Sequence, residues 1–126
     1  MKKLLYLLIC CFISVSCSDY TQEELIGVYV NNYDKPIIDV IFAPSAPKEK
    51  DTLILYEDNS FTSNNYGKGV FDIIEMSGHQ YIYLTYPSLS GGSSSAGMPI
   101  GRNGIFDKTP LLWIREELGC FYYKIK

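Results

Sequence analysis

An all-β fold, an antiparallel meander closing into a small barrel of about eight strands, is predicted by three observations. The stretch Asp51 to Pro87 reads as a strand, a tight turn and two further strands in succession. Short β-branched and aromatic runs recur along the rest of the chain, separated by Gly, Pro, Asn, Asp and Ser. No segment beyond the first residues has the length and period of a substantial helix. A β-sandwich is the alternative, because strands such as Leu53 to Tyr56 and Tyr81 to Tyr86 are apolar or aromatic on both faces.

At the start, Lys2 and Lys3 precede an apolar run, Leu4 to Val15. It is shorter than the roughly 20 residues of a membrane-spanning helix and suits the core of a secretory signal peptide. The run ends in Ser14-Val15-Ser16-Cys17. A small residue directly before a cysteine at the end of a signal core resembles the bacterial lipoprotein signal, although Ser14 stands where that family usually carries Leu. The resemblance implies cleavage before Cys17, fatty acyl chains on Cys17 as a membrane anchor, and a place in the bacterial cell envelope. Ser18 after the anchor is similar to patterns that direct transit to the outer membrane. The expected organisation is a signal peptide over 1–16, a lipidated Cys17 with a short tether to residue 24, and one domain over 25–126.

Four cysteines fit this scheme: Cys10 and Cys11 leave with the signal, Cys17 takes the lipid, and Cys120 remains without an internal partner. Removing 16 of 126 residues leaves 110, enough for one unstapled domain. Losing Lys2 and Lys3 leaves 9 basic residues against 14 acidic ones, a net charge of −5 with no basic stripe. Nucleic-acid binding, which depends on neutralising phosphates, is disfavoured.

In the mature chain, Thr21-Gln22-Glu23-Glu24 has the form of a helix-capping box, but Gly27 follows so soon that only a turn or two of helix fits. Val28 to Val30 and Ile37 to Phe42 read as strands; Pro44 and Pro47 end the second. Asp51 to Tyr56 and Ser60 to Ser63 form a hairpin around Glu57-Asp58-Asn59-Ser60, where Asn tolerates a left-handed backbone. Gly67 to Ile74 and His79 to Tyr86 turn at Ser77-Gly78. Pro87 to Gly97, nearly all Ser, Gly, Ala and Pro, is expected to be a mobile loop. Asn103-Gly104 is the strongest turn dipeptide, and Leu111 to Arg115 and Phe121 to Ile125 form the last pair. In that final strand Phe121, Tyr123 and Ile125 share one face, expected to be core, and Tyr122, Lys124 and Lys126 the other, expected to be wet.

Gly27-Val28-Tyr29, the Asp51 to Phe61 hairpin and the closing Phe121-Tyr122-Tyr123-Lys124-Ile125 resemble the lipocalin-like domains of small bacterial lipoproteins. Tyr29 stands where that family's first strand carries Trp, and Arg115 is the counterpart of the basic residue that closes over it. The resemblance implies a barrel that binds a small apolar molecule, lined here by Val28, Val30, Leu53, Leu55, Phe71, Ile73, Ile82, Leu84, Phe121 and Tyr123, with 87–97 as a mouth loop. The alternative is a protein-interaction module, an inhibitor, immunity-type protein or envelope-assembly subunit, using Tyr81, Tyr83 and Tyr122. Enzyme chemistry finds no support. His79, the single histidine, falls in a hairpin without ligand-type neighbours. Ser93-Ser94-Ser95 has no nucleophile elbow, and the acidic pairs Glu57-Asp58 and Glu116-Glu117 fall in turns. No metal or cofactor is expected.

Overall fold

Eight antiparallel strands follow one another around the molecule: β1 (Gly27–Asn31), β2 (Thr52–Leu55), β3 (Ser60–Ser63), β4 (Gly67–Met76), β5 (His79–Pro87), β6 (Ser93–Arg102), β7 (Pro110–Arg115) and β8 (Cys120–Lys124). Each pairs with the next, and β8 returns to β1, so this computed structural model is a closed up-and-down barrel. It describes residues 19–34 and 46–126; the expected signal segment, Cys17 and the expected strand Ile37 to Phe42 lie outside the described residues. Closure pairs both rows of backbone groups that an open sheet would leave at its edges.

The turns follow local backbone chemistry. Asn59 sits left-handed at φ 66° between β2 and β3, and the Asp58 carboxylate accepts from the Ser60 N–H at 3.0 Å. Ser77 and Gly78 are both left-handed, at φ 52° and 77°, which matches the twist of the β4–β5 hairpin they join. Before β1, the helix α1 (Gln22–Leu25) is held by the expected capping box: the Glu24 N–H donates to Thr21 Oγ1 and the Thr21 N–H donates back to Glu24 Oε1.

One expectation is overturned. The small-residue segment does not form a mobile loop through Gly97: a tight turn over Ser88 to Gly92 leads into the ten-residue β6, paired with β5 from Pro87↔Ser93 to Tyr81↔Pro99. Small side chains are what this place requires. The Tyr83 ring lies over Gly97, where an added Cβ would stand 3.3 Å from it, and the Tyr83 hydroxyl is 2.9 Å from Ser95 Oγ.

Residues paired across strands share a face, so register settles what lies inside. Tyr29 pairs with Leu53, Phe71 with Leu84, Ile73 with Ile82, and Leu112 with Tyr122. These side chains, with Leu25, Phe61 and Met98, form one apolar core. Full burial of each large apolar side chain contributes about 1.5–3 kcal/mol, and the core thereby holds a fold that carries no disulfide among its described residues. One end of the barrel, the helix end, carries α1 and the β2–β3, β4–β5 and β6–β7 connections. The other carries Asp51 and the β3–β4, β5–β6 and β7–β8 connections.

Candidate functional site

The ten positions expected to line a lumen divide between the two sides of the wall. Leu53, Leu55, Phe71, Ile82 and Leu84 point inward at 4% exposure or less, and Ile73 packs against them. Val28, Val30, Phe121 and Tyr123 are placed outside, which corrects the face assigned to β1 and β8. The inward residues of those strands are Tyr29, Asn31 and Tyr122. On β1 both faces are apolar, so alternation could not choose between them; on β8 alternation pointed to Phe121, Tyr123 and Ile125 as the core face, and the structure reverses it although Lys124 shares the face of the buried Tyr122. Two hydroxyls decide it, since a buried phenol needs a partner: Tyr29 donates to the Leu25 carbonyl and Tyr122 to Asp51 Oδ2, each at 2.6 Å. Outside, Phe121 packs edge-on between Trp113 and Tyr123, with centroids 5.2 and 6.3 Å away. Eight strands make a barrel that side chains alone can fill, and Tyr29, Phe61, Met98, Leu112 and Tyr122 join the inward set to do so.

The tyrosines expected to form one partner face are likewise separated. Tyr81 and Tyr83 stand on the outer wall of β5, Tyr83 at 38% exposure, whereas Tyr122 is sealed in the interior. Tyr122 is thus removed from any surface, because its hydroxyl is needed by Asp51.

Asp51, at 3% exposure, organises the end opposite the helix. Its Oδ2 accepts from Ser63 Oγ at 2.7 Å as well as from Tyr122, and its Oδ1 accepts from the backbone N–H groups of Asn64 and Asn65 at 2.9 and 3.3 Å. Asn31 completes the cluster: its side-chain oxygen accepts from the Asp51 N–H at 3.0 Å, its amide donates to the Glu49 carbonyl at 2.8 Å, and its own carbonyl accepts from Lys50 Nζ at 2.6 Å. A buried charge met by this many donors is stable where an unpaired one would not be. Desolvation, reinforced by the negative Asp51, pushes the Tyr122 hydroxyl far above its ordinary range. Burial, then the neighbouring Tyr86 and Asp51, does the same to Tyr66. Both phenols stay protonated, and Tyr122 thereby remains a donor to Asp51.

Asp51 therefore fixes the β3–β4 turn, and that turn is one bank of an open groove of about 660 Å³. Asn64 and Asn65 stand on one side, Ser88 and Leu89 of the β5–β6 turn on the other; between them lie Tyr66 and Tyr86, whose rings meet at 5.2 Å and 53°. Lys68 flanks the groove, and Leu89 is fully exposed at its rim. The assembly offers aromatic faces, an apolar anchor, amides and one ammonium, which is the chemistry of recognition. Leu89 falls in the segment 87–97 that the sequence marked as a mouth loop, whereas neither Asp51 nor Tyr66 was singled out as a site. His79 is exposed at the helix end, far along β5 from this groove. Compared with known protein families, with curated proteins and with solved structures, the chain has no significant match in any of the three.

Proposed function

We propose that this protein is a lipid-anchored, non-enzymatic module of the bacterial cell envelope that works by binding an envelope protein at the Tyr66–Tyr86 groove. The observation that carries this reading is the contrast between the two parts of the barrel. The interior is occupied by side chains at near-zero exposure, while the end of the barrel holds a stiffened groove with a fully exposed leucine at its rim. That contrast favours a partner at the surface over a small apolar molecule carried inside. An exposed apolar anchor ringed by Asn and Ser is the pattern of a protein contact, in which one buried side chain supplies affinity and polar neighbours exclude water.

Native mass spectrometry of the protein, gently extracted from its own envelope, tests the reading. A stoichiometric protein complex that is lost in the Leu89→Glu and Tyr86→Ala variants supports it. A retained small-molecule mass, unaffected by either substitution, overturns it in favour of interior binding. The anchor is tested separately: Cys17→Ala is expected to abolish labelling by a fatty-acid analogue, and unchanged labelling refutes the anchored localisation.

A further inference from the structure

We propose that the helix end of the barrel rests against the lipid bilayer, with Ile105 and Phe106 of the β6–β7 connection inserted into the membrane interface. The proposal shares with the anchoring reading the expectation of a membrane close to the N-terminus, and it adds a second, non-covalent attachment.

Ile105 and Phe106 are 89% and 100% exposed, two adjacent large apolar side chains at a loop tip. Exposed apolar residues are ordinarily scattered singly; a pair at a tip marks a contact. The loop is braced so that the tip is held outward. The Asn103 N–H donates to the Thr109 carbonyl and the Gly104 N–H to the Asp107 carbonyl, both at 3.2 Å, and the Asp107 carboxylate accepts from Asn103 Nδ2 at 2.7 Å and from the Thr109 N–H at 3.0 Å.

The same loop holds the N-terminal segment. Tyr20 donates its hydroxyl to the Lys108 carbonyl at 2.9 Å, and its ring lies beneath the Arg102 guanidinium at 5.7 Å. Its backbone is clamped by Gln80, which accepts from the Tyr20 N–H at 2.8 Å and donates to the Tyr20 carbonyl at 2.9 Å. Residues 20–24 are thus docked on the barrel instead of serving as a free tether. Only Ser18 and Asp19 separate Tyr20 from Cys17, and three residue steps span at most about 11 Å. Four residues separate the end of the apolar run Leu4 to Val15 from Tyr20. Whether the membrane holds this chain through lipid on Cys17 or through that run, the β6–β7 tip is brought within reach of the interface. Met76, exposed on the β4–β5 hairpin, lies at the same end. Arg102, Lys108, Lys124 and Lys126 are outnumbered there by Glu23, Glu24, Glu57, Asp58, Glu75 and Asp107, so insertion rests on apolar burial alone and draws nothing from anionic lipid.

The test uses the mature lipidated protein in phosphatidylcholine vesicles, in a Cys120→Ala background, carrying a fluorophore at Phe106→Cys or, on the far end, at Leu89→Cys. Nitroxide-labelled lipids are expected to quench the probe at 106 at least several-fold more than that at 89, and aqueous iodide the reverse. Equal quenching at the two ends overturns the proposal, including the case in which the tip serves a protein partner instead. A second probe, at Met76→Cys, guards against an effect of the label. Ile105→Ser with Phe106→Ser is expected to lower its lipid quenching at least twofold while leaving thermal unfolding unchanged, and unaltered quenching at 76 again overturns the proposal. Fatty-acid labelling reports the anchor independently. A chain that takes no label yet shows lipid quenching at 106 keeps the insertion and loses the covalent anchor; a labelled chain with 106 open to iodide does the opposite.

Discussion

A carboxylate sealed inside an apolar barrel is worth its place only through the donors it gathers. Replacing Asp51 with Ala strands the Tyr122 hydroxyl, the Ser63 hydroxyl and two backbone N–H groups at once. Unmet buried donors cost on the order of 3 kcal/mol here, a fall in Tm of roughly 15 °C for a domain of this size. Tyr122→Phe removes one donor and leaves Asp51 its other three, so the loss is about 1 kcal/mol. Thermal unfolding of the two variants measures the difference; equal losses show that Asp51 does not organise the turn. The tyrosines supply a pH prediction. Burial is the first cause that raises Tyr29, Tyr33, Tyr66 and Tyr122 well above the ordinary phenol value of 10.0. For a group whose pKa is raised by folding, the unfolded chain loses its proton first as pH climbs. Stability is therefore intact below pH 10 and declines above it. Ultraviolet titration is expected to show a late phase, from these four buried phenols, that coincides with loss of the barrel's circular dichroism. A single phase at the ordinary phenol pKa, with the fold intact, contradicts the buried placement.

Among the elements, β4 depends on a missing side chain. Gly69 faces inward opposite Phe61, and an added Cβ would stand 2.0 Å from the Thr85 carbonyl oxygen and 2.8 Å from Phe61 Cε1. Backbone cannot yield as a side-chain tip can, so Gly69→Ala is expected to cost about 3 kcal/mol by overpacking. Gly104→Ala, with no atom within 4 Å, is expected to be close to neutral. Urea unfolding compares them through a shifted midpoint at unchanged slope. The elements also show how far the sequence could be read. The β2–β3 and β4–β5 hairpins and the capping box were legible because Asn59, Ser77-Gly78 and Thr21 with Glu24 state their own backbone geometry. β6 was not, because its pairing is carried by backbone groups between two strong neighbours, and Ser, Gly and Ala there record the space occupied by Tyr83. The inward face of β1 was equally hidden, since Val28 and Tyr29 differ little in hydrophobicity, and on β8 Lys124 and Lys126 made the face of Tyr122 read as the wet one; only the tertiary partners Leu25 and Asp51 identify the inward tyrosines. The groove was legible on one bank, within the expected mouth loop 87–97, and not on the other, because the Asn64 to Lys68 turn meets it only through closure of the barrel.

At the scale of the whole molecule the barrel has two unlike ends. The docked Tyr20 and the Ile105-Phe106 tip occupy one, and the Asp51 cluster and the Tyr66–Tyr86 groove the other. Ten-residue strands such as β4 run about 33 Å along their length, so a partner at the groove would meet the protein well clear of a membrane at the opposite end. This polarity requires a barrel that transmits position rigidly from end to end, which in turn requires closure. β8 supplies it, pairing with β1 over Tyr29↔Lys124 to Asn31↔Tyr122 and with β7 over Leu111↔Tyr123 to Arg115↔Cys120. A chain ended after Gly119 loses both ladders and the Tyr122 plug, and it leaves β1 and β7 as open edges flanked by apolar Val28, Val30, Leu111 and Trp113. Unpaired apolar edges recruit one another, so the truncated chain is expected to form aggregates that bind thioflavin. Phe121→Ser on the outer face, which keeps every ladder bond, is expected to remain monomeric. Size-exclusion chromatography of the two forms decides the point: a monomeric, folded truncation shows that the seven remaining strands hold together without β8, and that closure is not what keeps the two ends in fixed relation.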